Sequence, residues 1–299
     1  MAVDCISYAA AYSSMKLAEH QGLPPEINIL LSLGIGITAT KVAGKYLLKD
    51  AKGTIIGEIH DNSAAEKIKA LKFKSWDDFK LYIQKIGKDN SLTNEDKVWC
   101  MQQAFGKVAD KTDICIPSDA KYIKGFTADG QIQYDWPKDL GFDKTTVSSI
   151  SRNNRLPEKW DRYGSMRGSN FADVPSSGKY SASERSIPYV ENEAAYHCGK
   201  FNNTTYFDKI DAIKAGNLDA LNKILKSEGI SPVSESYFEE LGDDYKDFIT
   251  KTANKIGASV DATYGLKGKA TAWGDLKGGA EQIVTPFNGK MLKELGMIN

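Results

Sequence analysis

Trp160-Asp161-Arg162-Tyr163-Gly164-Ser165, then Gly168-Ser169-Asn170-Phe171, Glu184-Arg185-Ser186-Ile187-Pro188 and Tyr196-His197 form the most informative stretch of this 299-residue chain. Two arginines, several aromatic rings and turn-forming glycines fall within one short window whose neighbours are mostly polar. The arginine guanidinium is a planar fork of donors that matches phosphate, and aromatic rings offer flat faces to heterocycles. This combination predicts a site for a phosphorylated, ring-containing small molecule, with a dinucleotide as the best fit. The short strand-like pieces around it, rich in Ser, Gly, Asn and Pro, predict an α+β or mostly β domain with long functional loops.

Outward from this window, composition excludes several classes. Lys and Arg total 39 and Asp and Glu total 39, so there is no electrostatic footprint for nucleic acid or an anionic membrane. The cluster Lys67, Lys69, Lys72 and Lys74 is interleaved with apolar residues and reads as a solvated helix face. Cys5, Cys100, Cys115 and Cys198 are scattered, and His20, His60 and His197 lack ligand spacing, which argues against a metal enzyme. Met1-Ala2-Val3-Asp4 has no basic region ahead of an apolar core, so no signal peptide is expected. The apolar run Ile27 to Ala39 is too short for a bilayer and reads as a buried helix; insertion during translocation is the sharper alternative.

Residues 1 to about 120 read as a mostly helical region. Apolar spacing suggests helices at Ala9 to Leu17 and Ile27 to Leu48, and capping patterns open others at Ser63 and Ser75. A further helix is expected from Asn94 to Ala109, burying Val98, Met101 and Phe105. Composition changes after Pro117. Thr127-Ala128-Asp129-Gly130 signals a turn, and Gln131 to Trp136 alternates like a strand. A helical interlude follows at about 208–263, with stripes through Ile213, Leu221 and Leu225 and through Tyr245, Phe248 and Thr252. Strand-compatible sequence returns from Tyr264 to Pro286, and a short helix, Gly289 to Leu295, follows it.

Other chemistry finds little support. Gly34-Ile35-Gly36 precedes neither a Lys-Ser/Thr pair nor a spaced acid, so close helix packing explains it better than nucleotide binding. No Gly-x-Ser-x-Gly is present, and His197 and Cys198 are adjacent, so an extended strand would point them apart. Asp161, Asp173, Glu184 and Glu281 are candidate carboxylates for glycoside chemistry, but spacing places no two of them across a bond. Asp161 fits a buried ion pair or a turn better.

Leu156-Pro157, Asp161-Arg162-Tyr163-Gly164, Gly168, Phe171, Pro175, Arg185-Ser186-Ile187-Pro188 and Tyr196-His197 together resemble the tuberculosis necrotizing toxin domain. Asp135-Trp136-Pro137 with Gly141-Phe142 upstream, and Gly278-Gly279-Ala280-Glu281-Gln282 downstream, extend the resemblance over about 126–298. It rests on the order and spacing of several blocks, and the interlude at 208–263 is an insertion relative to the family core.

The resemblance implies an α+β architecture: a helical N-terminal region of pre-toxin or delivery type at 1–120, then a β-rich, ADP-ribosyltransferase-like domain at 126–299. It implies an NAD(P)+ glycohydrolase that splits the nicotinamide–ribose bond to give nicotinamide and ADP-ribose, with NAD+ or NADP+ as substrate and no cofactor or metal. Nicotinamide leaves as a neutral ring and needs no general acid, so holding the pyrophosphate and stabilising the strained ribose carry the catalysis. On this basis Arg162 and Arg185 are the expected pyrophosphate clamps, Tyr163 and Phe171 the nicotinamide walls, and His197 a positioning residue. Gln282 is expected to bond the ribose hydroxyls or orient the attacking water. Arg185→Ala and Gln282→Ala are each expected to lower turnover at least about tenfold without unfolding, a barrier change of about 1.4 kcal/mol.

By the same resemblance the chain is a secreted effector of a polymorphic toxin, used in interbacterial competition and acting in the target-cell cytoplasm. A cognate immunity protein, and secretion-system or chaperone contacts through residues 1–120, are the implied partners; nucleic acid is not. Two alternatives remain: a mono-ADP-ribosyltransferase using Glu281, which lies beside Gln282 where the family carries a small or polar residue, and a non-catalytic dinucleotide-binding or partner-binding module. An extended strand there would turn Glu281 away from Gln282.

Overall fold

The computed structural model describes residues 38–42, 45–49, 55–60, 73, 76–106 and 114–299. The chain is α+β and divides into two compact units, Met1–Val108 with Ser118–Gln133, and Ala109–Pro117 with Tyr134–Asn299. The division is more interleaved than a single boundary near residue 120. Ile116 accepts a hydrogen bond from the Val190 backbone and Pro117 bridges to Tyr189, which ties that segment to the second unit.

In the first unit, β1 (Thr38–Val42), β2 (Lys45–Lys49) and β3 (Ile55–His60) form an antiparallel sheet in that order. This corrects the helix expected over Ile27 to Leu48 at residues 38–42 and 45–48; the rest of that span lies outside the described residues. The run Thr38-Ala39-Thr40-Lys41-Val42 is rich in β-branched residues, which favour a pleated strand over a helix. The helices expected at Ala9–Leu17 and from Ser63 lie outside the described residues; the two helices that follow are described. Helix α1 (Trp76–Lys88) buries Phe79 and Ile83. Helix α2 (Asn94–Phe105) starts at a capping box between Thr93 and Asp96 and buries Val98, Met101 and Phe105, as the stripe predicts. Strands β4 (Ile123–Phe126) and β5 (Ile132–Tyr134) pair across the Thr127–Gly130 turn.

The second unit is built on a six-stranded sheet. Its strands are β6 (Ser148–Ser149), β7 (Lys159–Tyr163), β8 (Asn170–Asp173), β9 (Tyr196–Lys200), β10 (Leu266–Lys269) and β11 (Glu281–Val284), in the order β6-β10-β11-β8-β7-β9. The helical interlude is three helices: α3 (Tyr206–Lys214), α4 (Leu218–Ser227) and α5 (Glu235–Lys255). Gly216, at φ 65, breaks the stripe between the first two, and Asn217 caps the next helix. Their apolar faces join Trp160, Phe171 and Ile283 of the sheet in one core, completed by Met291, Leu292 and Leu295 in and just after the terminal helix α6 (Gly289–Glu294). The interlude is therefore part of the domain's own core. No helix among the described residues is long and apolar enough to cross a membrane.

A buried ion pair anchors the insertion. Lys209, fully buried on α3, donates to the Glu228 carboxylate, which also accepts from Thr205 Oγ1 at 2.5 Å and Asn202 Nδ2 at 3.1 Å. A buried ammonium without such partners would be strongly disfavoured.

Candidate functional site

The central feature of the sheet is a split between β7 and β8. These strands pair only through Trp160↔Asp173 and Asp161↔Ala172. Beyond that point β7 continues against β9, through Arg162↔His197 and Tyr163↔Tyr196, while β8 continues against β11, through Phe171↔Ile283 and Asn170↔Val284. A cleft of about 430 Å³ opens here, bounded among others by Asp161, Arg162, Tyr163, Phe171, Arg185 and Gln282. Five of the six residues singled out from the sequence thus surround one cavity. His197 is not among its lining residues.

Arg162 reaches across the split. Its Nη1 donates to the carbonyls of Gly168 at 2.6 Å and Asn170 at 3.1 Å, and its guanidinium lies over the Phe171 ring, 5.4 Å from the centroid. Its Nε is buried without a partner, and no carboxylate pairs with it among the described residues. Burial disfavours the charged form, so its pKa is lowered, yet an arginine remains protonated at any physiological pH. The result is a desolvated cation without a counter-anion, facing a cavity, which is the electrostatic condition for binding an anion.

Gly168 makes this possible: a Cβ there would stand 2.4 Å from Arg162 Nη2. The loop carrying it is held from the C-terminal side, where Thr285, Gly289 and Lys290 donate backbone bonds to Ser169, Gly168 and Met166.

Arg185 is placed differently from expectation. Its Nη1 and Nη2 donate to the two oxygens of Asp161 at 2.5 and 2.6 Å, and its Nε donates to the Tyr180 carbonyl. Asp161 is fully buried and the Arg185 side chain is 4% exposed. The Tyr196 hydroxyl also donates to Asp161, at 2.9 Å, and burial together with that carboxylate pushes its pKa up to about 12. Arg185 lines the cleft with its guanidinium bonded to Asp161 and Tyr180, whereas Arg162 has no carboxylate partner among the described residues. The ion-pair reading of Asp161 is the one the structure shows.

The aromatic residues also differ. Phe171 is 3% exposed, packs on Trp160 and Phe201 at 5.3 and 5.8 Å, and still contributes to the cleft lining. Tyr163 is half-buried, with its hydroxyl on Glu193 at 3.2 Å and its ring 5.5 Å from the Arg185 guanidinium. Trp136 supplies the exposed ring: it is 52% exposed, lines the cleft and packs against Tyr134, Trp273 and Tyr189 at 5.1–5.9 Å.

The glycine-rich turn joins the arginine loop although the two are far apart in sequence. Gly278 and Ala280 donate backbone bonds to Ser183 and Glu184, and Lys277 N donates to Ser183 Oγ. Gly278 has φ 69, and a Cβ there would approach the Ala270 carbonyl to 2.6 Å, so the turn requires glycine. The chain then enters β11, whose register sets Gln282 opposite Ala172, itself opposite Asp161. Gln282 therefore shares the Asp161 face, and Glu281 turns to the other, as extended geometry predicts. Gln282 Nε2 donates to the Leu140 carbonyl at 2.9 Å, and no hydrogen bond to its amide oxygen is seen among the described residues.

Two non-glycine residues at the cleft have positive φ: Leu140 at 58 and Ser186 at 52. Ser186 is secured by its hydroxyl bond to the Thr271 carbonyl, and the Leu140 carbonyl by Gln282. Such conformations cost about 1–3 kcal/mol each and concentrate where function over-determines the backbone.

The remaining wall comes from the insertion. Phe248, Lys251 and Lys255 of α5 line the cleft. The apolar stripe predicts the helix but not its place against the cleft. The only available signal was the spacing of the lysines beside the buried stripe through Phe248, Thr252 and Ile256. No family model matches this chain, and neither does any curated protein or solved structure.

Proposed function

We propose that the second unit hydrolyses NAD+ or NADP+ at the nicotinamide–ribose bond. The observation that carries this reading is Arg162, a desolvated cation in a sheet split, in the same cavity as an exposed tryptophan and a held glutamine amide. In this reading the pyrophosphate bonds Arg162 Nη2, since Nη1 already donates to the Gly168 and Asn170 carbonyls and Nε is buried. Trp136 gives a face for one heterocycle, and Tyr163 an edge for the other. The amide oxygen of Gln282 accepts from the ribose hydroxyls or from the attacking water.

The C1′–N bond breaks with its electron pair passing to the nicotinamide nitrogen, which neutralises the pyridinium. Water adds to C1′ and loses a proton, giving ADP-ribose. The leaving group needs no acid, which agrees with a cleft whose one carboxylate among the described residues, Asp161, is already bound by Arg185. Arg185 and Asp161 act as scaffold, and His197, outside the cleft lining, is given no part in the reaction.

A split sheet with this placement supports the ADP-ribosyltransferase-like architecture and the resemblance to the necrotizing toxin domain. A toxin role with an immunity partner follows from that resemblance alone. Transfer of ADP-ribose through Glu281 is disfavoured, because Glu281 occupies the opposite face of β11 from Gln282. NAD+ labelled in the adenylate, incubated with the protein and a cell extract, separates these outcomes. Label in free ADP-ribose supports hydrolysis, label on protein supports transfer, and intact NAD+ contradicts both.

A further inference from the structure

The cleft holds more positive charge than a pyrophosphate requires. Arg162, Arg185, Lys251 and Lys255 face it against a single acid, Asp161, which Arg185 occupies. The lysines stand apart from Arg162. Arg162 lies on β7 and its guanidinium reaches the carbonyls of Gly168 and Asn170, whereas both lysines stand on α5. Phe248, on the helix turn preceding Lys251, packs with Leu140, Phe142, Leu266 and Val284, over β10 and β11. The two groups of cations thus come from different elements, a strand and the inserted helix, and line the same cleft.

Lys251 and Lys255 are four residues apart and so share one face of α5. Buried Phe248, Thr252 and Ile256 fix the rotation of that helix. Both lysines are exposed, and neither makes an ion pair among the described residues, although Asp247 precedes Lys251 by one turn and Lys246 pairs with Asp243. Two unpaired ammonium groups at the lip of a cavity focus its field on a compact dianion. A phosphate monoester, with its second pKa near 6, carries that charge at neutral pH.

We infer that Lys251 and Lys255 form a second phosphate station, which selects a dinucleotide bearing a 2′-phosphate on its adenosine ribose. The inference rests on the dinucleotide reading of the cleft and deepens it: the insertion is the specificity element, and NADP+ is the preferred substrate. The lysines determine which dinucleotide is held, and they touch no reacting atom.

The test is a binding measurement independent of turnover. Calorimetry with adenosine 2′,5′-bisphosphate and with AMP is expected to show at least tenfold tighter binding of the bisphosphate to the full chain. The double variant K251A/K255A is expected to bring the ratio to within about threefold of unity. Both side chains are exposed, so the variant should melt as the parent does, and a thermal scan verifies this. Equal binding of the two nucleotides, no binding of either, or a preference that survives in the variant overturns the inference. Turnover of NAD+ without a 2′-phosphate preference would overturn it while leaving the hydrolase reading intact. A preference without turnover of either dinucleotide would support the station and sink the hydrolase reading.

Discussion

Arg185 grips both oxygens of Asp161, at 2.5 and 2.6 Å, in the floor of a cleft where Arg162, the immediate chain neighbour of Asp161, has no acidic partner among the described residues. Adjacent residues on β7 thus differ, one in a closed ion pair and the other bonded to backbone carbonyls beside the cleft. Removing Arg185 would leave Asp161 charged and buried, at a cost of about 3–5 kcal/mol. Arg185→Ala should therefore lose stability together with activity, unlike the sequence-level expectation of activity loss alone. Urea unfolding checks this, and the double variant D161L/R185L should recover most of the lost stability.

Arg162 is expected to separate activity from stability. Arg162→Ala removes a desolvated charge and should change the melting temperature little, while lowering kcat/KM for the dinucleotide about 100-fold, a barrier rise of about 2.7 kcal/mol. Arg162→Lys keeps a charge but not the planar fork and should remain at least about tenfold impaired. Steady-state kinetics beside thermal melts measure both quantities.

Gly168→Ala tests the same guanidinium without removing it. A methyl group 2.4 Å from Nη2 must displace the arginine. Turnover is expected to fall at least about tenfold, and a second substitution at Arg162 should add little to that loss. A double-mutant cycle on kcat/KM reads the coupling.

Acid sensitivity should trace to Glu228. Burial raises its pKa, but the bonds from Lys209, Thr205 and Asn202 outweigh that, and the carboxyl is held below its ordinary value. A depressed folded pKa means the contact stabilises the protein above the ordinary carboxylate pKa of about 4.3 and fails as pH falls through the lower folded value. Melting temperature should be flat from neutrality to about pH 5 and drop below it. Glu228→Gln should be less stable at neutral pH, with a shallower acid limb in the same scan.

Much of the site was legible because chemistry was concentrated in short blocks. The turn glycines, the Arg162 and Arg185 blocks and Gln282 all meet at one cleft, and the expected face reversal of Glu281 follows from strand alternation alone. Tertiary context decided the rest. Nothing in the spacing says that Asp161 bonds Arg185 rather than its neighbour, because that depends on which face of β7 the 181–187 loop covers. The core position of Phe171 and the destination of Lys251 and Lys255 depend equally on packing. The β1 region was misread because apolar spacing alone outweighed its β-branched content.

Hydrolysis is read by proton NMR of NAD+ and NADP+ incubated with the purified chain, following free nicotinamide against the parent dinucleotide. The account predicts nicotinamide and ADP-ribose, or its 2′-phosphate, appearing in equal amounts, and the rate falling about 100-fold in R162A. Dinucleotides that remain intact after long incubation at micromolar protein would contradict it.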